Sequence, residues 1–177
     1  MRTKQKAAVL VERRLARDRT EAYHDARALA IELARGDPST AFDPMAAGVV
    51  LQPGETAYRQ VPLWIRVQQD GTWAGASSAD VLVTDLRLLC RFESRPLTSL
   101  WWSGIVGLNV DLATEHIVLD FGDAQPVCLS GPLVAPVAVV GIASVYGTEA
   151  ILTHHALAPL RTKGSSAARP SASQNHQ

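Results

Sequence analysis

The sequence predicts an α+β fold. A long N-terminal helix precedes an antiparallel sheet of short strands that closes or folds on itself, and a C-terminal helix caps the sheet. Three observations predict this. Residues 4–35 contain no Gly or Pro and are dominated by Ala, Leu, Arg and Glu, all good helix formers. From Val49 onward the apolar period changes to two. Beyond Asp123 the chain carries no charge until Glu149, a run of 25 positions that holds an apolar stretch from Leu133 to Tyr146. The 177 residues, 47% hydrophobic and 19% charged, suit one domain with appendages.

The leader helix is expected over residues 1–36. Gly36-Asp37-Pro38 stops it, and Arg35 in the last turn suits the helix dipole. About 32 residues of helix are roughly 48 Å long. Ala8, Leu15, Ala22 and Leu29 recur every seven residues, and Val11, Ala26 and Leu33 broaden the stripe. Asp18 and Asp25 interrupt it. The stripe can dock on the body or on a second copy, but a sustained coiled coil needs stronger a and d positions. Residues 37–48, with two prolines and Gly48, read as a linker. Residues 162–177 are rich in Ser, Ala, Pro and Gln with no apolar pattern and read as a disordered tail.

Within the body, residues 49–161, four runs alternate clearly. They are Leu63/Ile65/Val67, Leu86/Leu88/Cys90/Phe92, Leu108/Val110/Leu112 and Ile117/Leu119/Phe121. Pro53-Gly54, Asp70-Gly71, Thr84-Asp85, Ala113-Thr114 and Gly122-Asp123 separate the runs as turns. Strands are expected at 54–61, 63–69, 72–75, 79–84, 87–92, 106–112 and 115–121, with an eighth at 125–129. Short connections favour antiparallel pairing, because parallel pairs need long crossovers.

By count alone the uncharged run is long enough to span a bilayer. Pro126, Gly131, Pro132, Pro136 and Gly141 break it, and no Lys or Arg near its ends sets an orientation. A core helix starting near Pro132 to Pro136 is the preferred reading, since helices apolar all round are buried or membrane-embedded.

Net charge is zero, with 17 basic and 17 acidic side chains, so the whole chain gives no nucleic-acid signal. The distribution is uneven. Residues 1–35 hold nine Lys/Arg and five Asp/Glu, a net +4. Residues 36–155 hold five and twelve, a net −7, and residues 156–177 hold three and none, a net +3. The simplest expectation is that the leader leans on the body electrostatically. The alternative is that it meets an anionic partner, including an anionic lipid surface. Two cysteines exclude a disulfide framework, and the charged N-terminus does not read as a secretory signal, so a reducing cytoplasm is expected.

The Leu51-Gln52-Pro53-Gly54-Glu55 opening, the Val83-Thr84-Asp85-Leu86-Arg87-Leu88 turn, the strand meander and the terminal apolar helix resemble bacterial PH-like and GRAM-like domains. The resemblance covers about residues 49–160. It implies a split barrel of two orthogonal sheets, one end capped by a helix, and a role in binding lipid head groups, peptides or proteins without catalysis. Phosphoinositide-binding members gather Lys and Arg around the first hairpin. Here residues 61–76 contain only Arg66, with Asp70 at the turn, which weakens head-group recognition by the body.

The residues that could carry chemistry read as structural. Cys90 and Cys128 fall on apolar strand faces. His154-His155 point about 100° apart on a helix, with no neighbouring ligand to complete a metal set. Asp111 and Glu115 flank a hairpin and read as its exposed rim. No phosphate-binding loop, G-x-G-x-x-G, H-E-x-x-H or G-x-S-x-G occurs. Neither a cofactor nor a metal is expected. The interaction candidates are Trp64, Trp73, Trp101 and Trp102. Adjacent strand residues face opposite sides, so one of Trp101 and Trp102 is expected in the core and the other outside, with the leader as the nearest cover. The expected function is a non-enzymatic module that binds a protein or self-associates. The alternative is a membrane-associated protein held by residues 131–147 or by the leader.

Overall fold

The computed structural model describes residues 2–37 and 43–161. The tail assigned to 162–177 and the first part of the linker therefore lie outside the described residues. Helix α1 spans Arg2–Arg35 and ends on Gly36, whose φ of 68° supplies the left-handed cap. Eight strands follow: β1 (Ala57–Gln69), β2 (Thr72–Trp73), β3 (Ser77–Thr84), β4 (Arg87–Phe92), β5 (Thr98–Trp101), β6 (Gly107–Asp111), β7 (His116–Asp120) and β8 (Val127–Ser130). Helix α2 spans Val134–Tyr146, and two short helices, α3 (Ala150–Thr153) and α4 (Ala158–Arg161), end the described chain.

All pairings are antiparallel, in the order β5-β4-β3-β1-β8-β7-β6, with β2 paired to the end of β1. The sheet is not closed, and β5 and β6 form its two edges. The long β1 serves both halves. It pairs with β3 from Ala57 to Ile65 and with β8 from Trp64 to Val67. The two strands expected at 54–61 and 63–69 are thus one. Pro62 does not break it, because it lies before β1 reaches β8, where a missing ladder donor is tolerated. The edge strand β5 carries no alternation and was not among the expected strands.

Helix α2 begins at Val134, with Pro136 in its first turn, as the proline positions predict. Every residue from Val134 to Ile142 is buried. The sheet covers one side of α2, through β1 and β3 in one half and β6 and β7 in the other, and α1 covers a second side. That is why its sequence is apolar all round. Ala22, Ala26 and Leu29 of α1 join the same core as Ala135, Ala138 and Leu119.

Residues 48–51 form a strap on the sheet at the end of the expected linker. Val49 and Leu51 pack on Ala57, Leu82 and Leu89 across the outer face of the sheet, and Arg91 donates to the Gly48 carbonyl at 3.1 Å. This strap leads into a buried ion pair. Arg87 Nε and Nη2 meet Glu55 Oε1 and Oε2 at 2.9 and 3.0 Å, and the Glu55 side chain is fully covered. The Thr84 hydroxyl donates to Oε1 at 2.7 Å, and the Gln52 N–H donates to Oε2 at 2.7 Å. The remaining Arg87 donors reach Ser99 Oγ and the Val50 carbonyl. Glu55 of the first sequence phrase and Thr84 and Arg87 of the second are here joined in one network. Burial alone would raise the Glu55 carboxyl. The hydrogen bonds from Arg87, Gln52 and Thr84 outweigh it and hold the group below its usual value.

Removing one partner strands a buried charge, so Arg87→Met should destabilise by about 3–5 kcal/mol. The double change Glu55→Leu/Arg87→Met should recover much of that loss in urea unfolding. A carboxyl with a depressed folded pKa contributes stability that is present above its ordinary value, about 4.3, and lost as pH falls through the folded value. Glu55→Gln should therefore flatten the acid limb of stability against pH.

Candidate interaction surface

The four tryptophans have different fates. Trp102 opens a 3-10 turn after β5 and is only 5% exposed. Its indole N–H donates to the Thr84 carbonyl at 2.9 Å. Its ring lies against α2 at Gly141, where an added Cβ would sit 3.3 Å from the ring. Trp102 is thus a core residue and offers no binding surface. Its ring is covered by α2. Trp101 pairs with Arg87 across β4 and β5, and the guanidinium stacks 4.5 Å from its ring centroid. Trp101 therefore shields the ion pair on the outer face while remaining partly exposed. Trp73 pairs with Gln68 at the tip of the first hairpin and is also partly exposed. Trp64 projects from the outer face of β1 and is 51% exposed.

The leader divides into two halves. Ala22, Ala26 and Leu29 are buried, Leu33 packs on the core, and Leu29 is fully enclosed. Arg59 holds this half through Asp25, at 2.8 Å, and Glu32. Tyr23 donates to the Leu112 carbonyl at 3.0 Å, Arg27 to the Leu160 carbonyl at 2.6 Å, and Arg19 pairs with Glu115. Residues 9–17 are exposed throughout. Val9, Leu10, Val11 and Leu15 face solvent there, Leu10 at 65%.

Charge follows the same division. Residues 1–17 hold six Lys/Arg and Glu12 alone, a net +5, while residues 18–35 hold three basic and four acidic side chains, a net −1. The half that docks on the acidic body is itself slightly acidic. An apolar stripe attaches it, together with ion pairs of both senses: Arg59 of the body with Asp25 and Glu32, and Arg19 of the leader with Glu115.

Between the undocked half and β1 lies a cleft of about 390 Å³. Its walls include Val11, Arg14 and Leu15 on the helix side and Trp64, Pro132 and Leu133 on the body side. Sequence reasoning had Trp64 and the stripe residues Val11 and Leu15 but not Pro132, Leu133 or Leu10. Leu10 sits off the docking stripe by about 100°. That large apolar residue outside the stripe is the signal that could have marked this half as an exposed surface.

The remaining titratable groups serve the fold. Burial pushes the Cys90 thiol up to about 12 and raises Cys128, so neither is a thiolate near neutral pH. Asp111 accepts the Ala113 and Thr114 N–H groups and caps its hairpin turn. Bonds from Thr114, side chain and backbone, hold its carboxyl below the usual range. His154 Nδ1 accepts the Ala156 N–H, and its ring stacks between Tyr146 and His155. Burial, then His155 and Arg161, lowers its pKa. Among the described residues no three His, Cys, Asp or Glu side chains converge on a metal position. Among them, too, no helix is long and apolar enough to cross a membrane.

No protein-family model matches this chain, and no curated protein matches it. A solved structure, the C-terminal domain of an unknown protein from Leishmania infantum, is similar at 14% identity and a TM-score of 0.37. The match covers 58% of this chain and 89% of that one. A likeness that loose defines neither fold nor function.

The two halves of the leader should respond differently to truncation. Leu29→Ala leaves a cavity in the core and should cost about 2–5 kcal/mol. Leu15→Ala should stay within about 0.5 kcal/mol. Paired urea titrations of the full chain check the contrast, and equal losses would mean that the leader docks along its whole length.

Proposed function

We propose that this chain is a non-enzymatic interaction module of PH-like architecture that binds a protein partner. The binding face is formed by the undocked half of the leader and Trp64. One observation carries the reading. Val11 and Leu15 stand in solvent across a cleft from an exposed tryptophan, on a helix whose other half is firmly docked. Contiguous exposed apolar surface on a folded chain marks a binding site, and tryptophan is enriched at the energetic centres of such sites.

The strand order supports the PH-like part. Two antiparallel meanders share a long first strand, their outer edges are left open, and a helix after the last strand fills the mouth. The Glu55, Thr84 and Arg87 network gives the two family-like phrases a structural purpose within that architecture. The membrane alternative loses its apolar anchor, because Val134 to Ile142 are enclosed by the sheet and by α1. What remains of it is the leader.

The test compares full-length protein with the Val11→Glu/Leu15→Glu/Trp64→Ala variant. These are exposed positions, so Tm should stay within about 3 °C. Proteins retained from the source cell's extract by the wild type should be lost by the variant. Equal retention by both would sink the proposal. Pelleting of the wild type with anionic vesicles, with no protein retained, would favour the leader as a membrane element instead.

A further inference from the structure

We propose that the cleft beside Trp64 receives an acidic amphipathic helix of a partner protein, laid along the undocked half of the leader. This rests on the interaction-module reading and names the partner's chemistry.

The shape of the cleft selects a helix. One wall carries Val11 and Leu15, four residues and one turn apart on α1. The other wall carries Trp64, Pro132 and Leu133. A second helix presents apolar side chains at the same one-turn interval, so its ridge fits between the two walls. The exposed run from Val9 to Arg17 is about 12 Å long, which engages roughly two turns of a partner.

The charge of the surroundings selects acidity. Residues 9–17 hold three Arg and Glu12, a net +2. Arg14 lines the cleft, while Arg13 and Arg17 are exposed on the far side of the helix, Arg17 in an ion pair with Glu21. Arg66 stands two residues from Trp64 on the same outward face of β1. Asp18, also in the lining, is the opposing charge. A partner with carboxylates flanking its apolar stripe gains from these cations during both approach and docking.

The competing occupants fit less well. A second copy would offer its own residues 9–17, which are also net +2, so leader-to-leader pairing repels. An anionic bilayer matches the charge. It meets proteins on a plane or a protrusion, however, whereas here the apolar groups line two walls of a cleft.

The test is a display selection against the full-length protein, using a randomised helical library of about 18 residues, five turns. Selected peptides should be net negative, with apolar residues at i, i+4 and i+7. Their affinity should fall about tenfold or more on Leu15→Glu and on Trp64→Ala, each checked for unchanged Tm. Arg14→Glu/Arg66→Glu should turn the selection toward lysine-rich peptides. That reversal depends on a folded protein and so cannot arise from unfolding. Selected peptides without acidic bias, but sensitive to Leu15→Glu, would overturn the inference and leave the interaction-module reading intact. Peptides insensitive to both single changes would overturn the assignment to this cleft. Recovery of no peptide, with pelleting on equal phosphatidylcholine and phosphatidylserine vesicles, would overturn both readings. A concentration-dependent dimer lost on Leu15→Glu would give the cleft to a second copy and overturn the inference.

Discussion

The bidentate pair between Glu55 and Arg87 is the interaction on which the body's arrangement depends. Two charges taken out of water cost several kcal/mol each unless their hydrogen-bonding capacity is met. Here it is met by the chain around them. Gln52 and Thr84 complete the carboxylate, while Ser99 and the Val50 carbonyl take the remaining guanidinium donors. Each partner is a separate piece of chain: the strap, the end of β3, the start of β4 and the edge strand β5. Satisfying one pair therefore fixes four segments at once. Trp101 lies against the guanidinium and limits its access to water. The Thr84 carbonyl then holds the Trp102 indole, whose ring meets Gly141 of α2. A polar contact on the outer face of the sheet is thereby coupled, through two residues, to the helix that fills its inner face.

That coupling explains a composition that otherwise looks membrane-like. A helix with no charge and no polar face needs cover on every side. The open sheet supplies part of it, and the docked half of the leader supplies more through Ala22, Ala26 and Leu29. Small residues on both helices, Ala22 and Ala26 facing a helix that carries Ala135, Ala138 and Gly141, permit close approach. At Gly141 even one methyl group would press on the Trp102 ring. The leader is thus as much a part of the core as any strand, although the sequence sets it apart by composition.

Elements with strong periodicity were legible in the sequence. Strands β4, β6 and β7 and the start of α2 fall where alternation and proline placement predict them. Two features were not. Pro62 reads as a break, but its effect depends on which strands flank β1, and that is a tertiary fact. Strand β5 is four residues long, with Thr98 and Ser99 at its start, so it offers no alternation to detect; it exists because Arg87 and Leu88 are there to pair with. The site was half legible. Trp64 could be named as a candidate, and the stripe on the leader could be read. Where docking stops along that stripe depends on how far the body extends beneath it. That one of Trp101 and Trp102 is core could be read, but not which; their covers, Arg87 and α2, come from residues far away in sequence.

The undocked half of the leader has no account in terms of stability. Ordering each backbone residue costs about 1–2 kcal/mol of conformational entropy. A helix turn recovers that cost mainly by burying an apolar face, which residues 9–17 do not do. The docked half needs nothing from them, since Ala22 to Leu33 make the core contacts and Arg59 makes the ion pairs. Yet this half carries all of the leader's net positive charge and four of its large apolar side chains. Such a segment gains its missing burial only when something occupies the space between it and Trp64. Surface left unfilled by the fold, at one end of a helix fixed by the fold at the other, is what gives the proposed binding face its preorganisation.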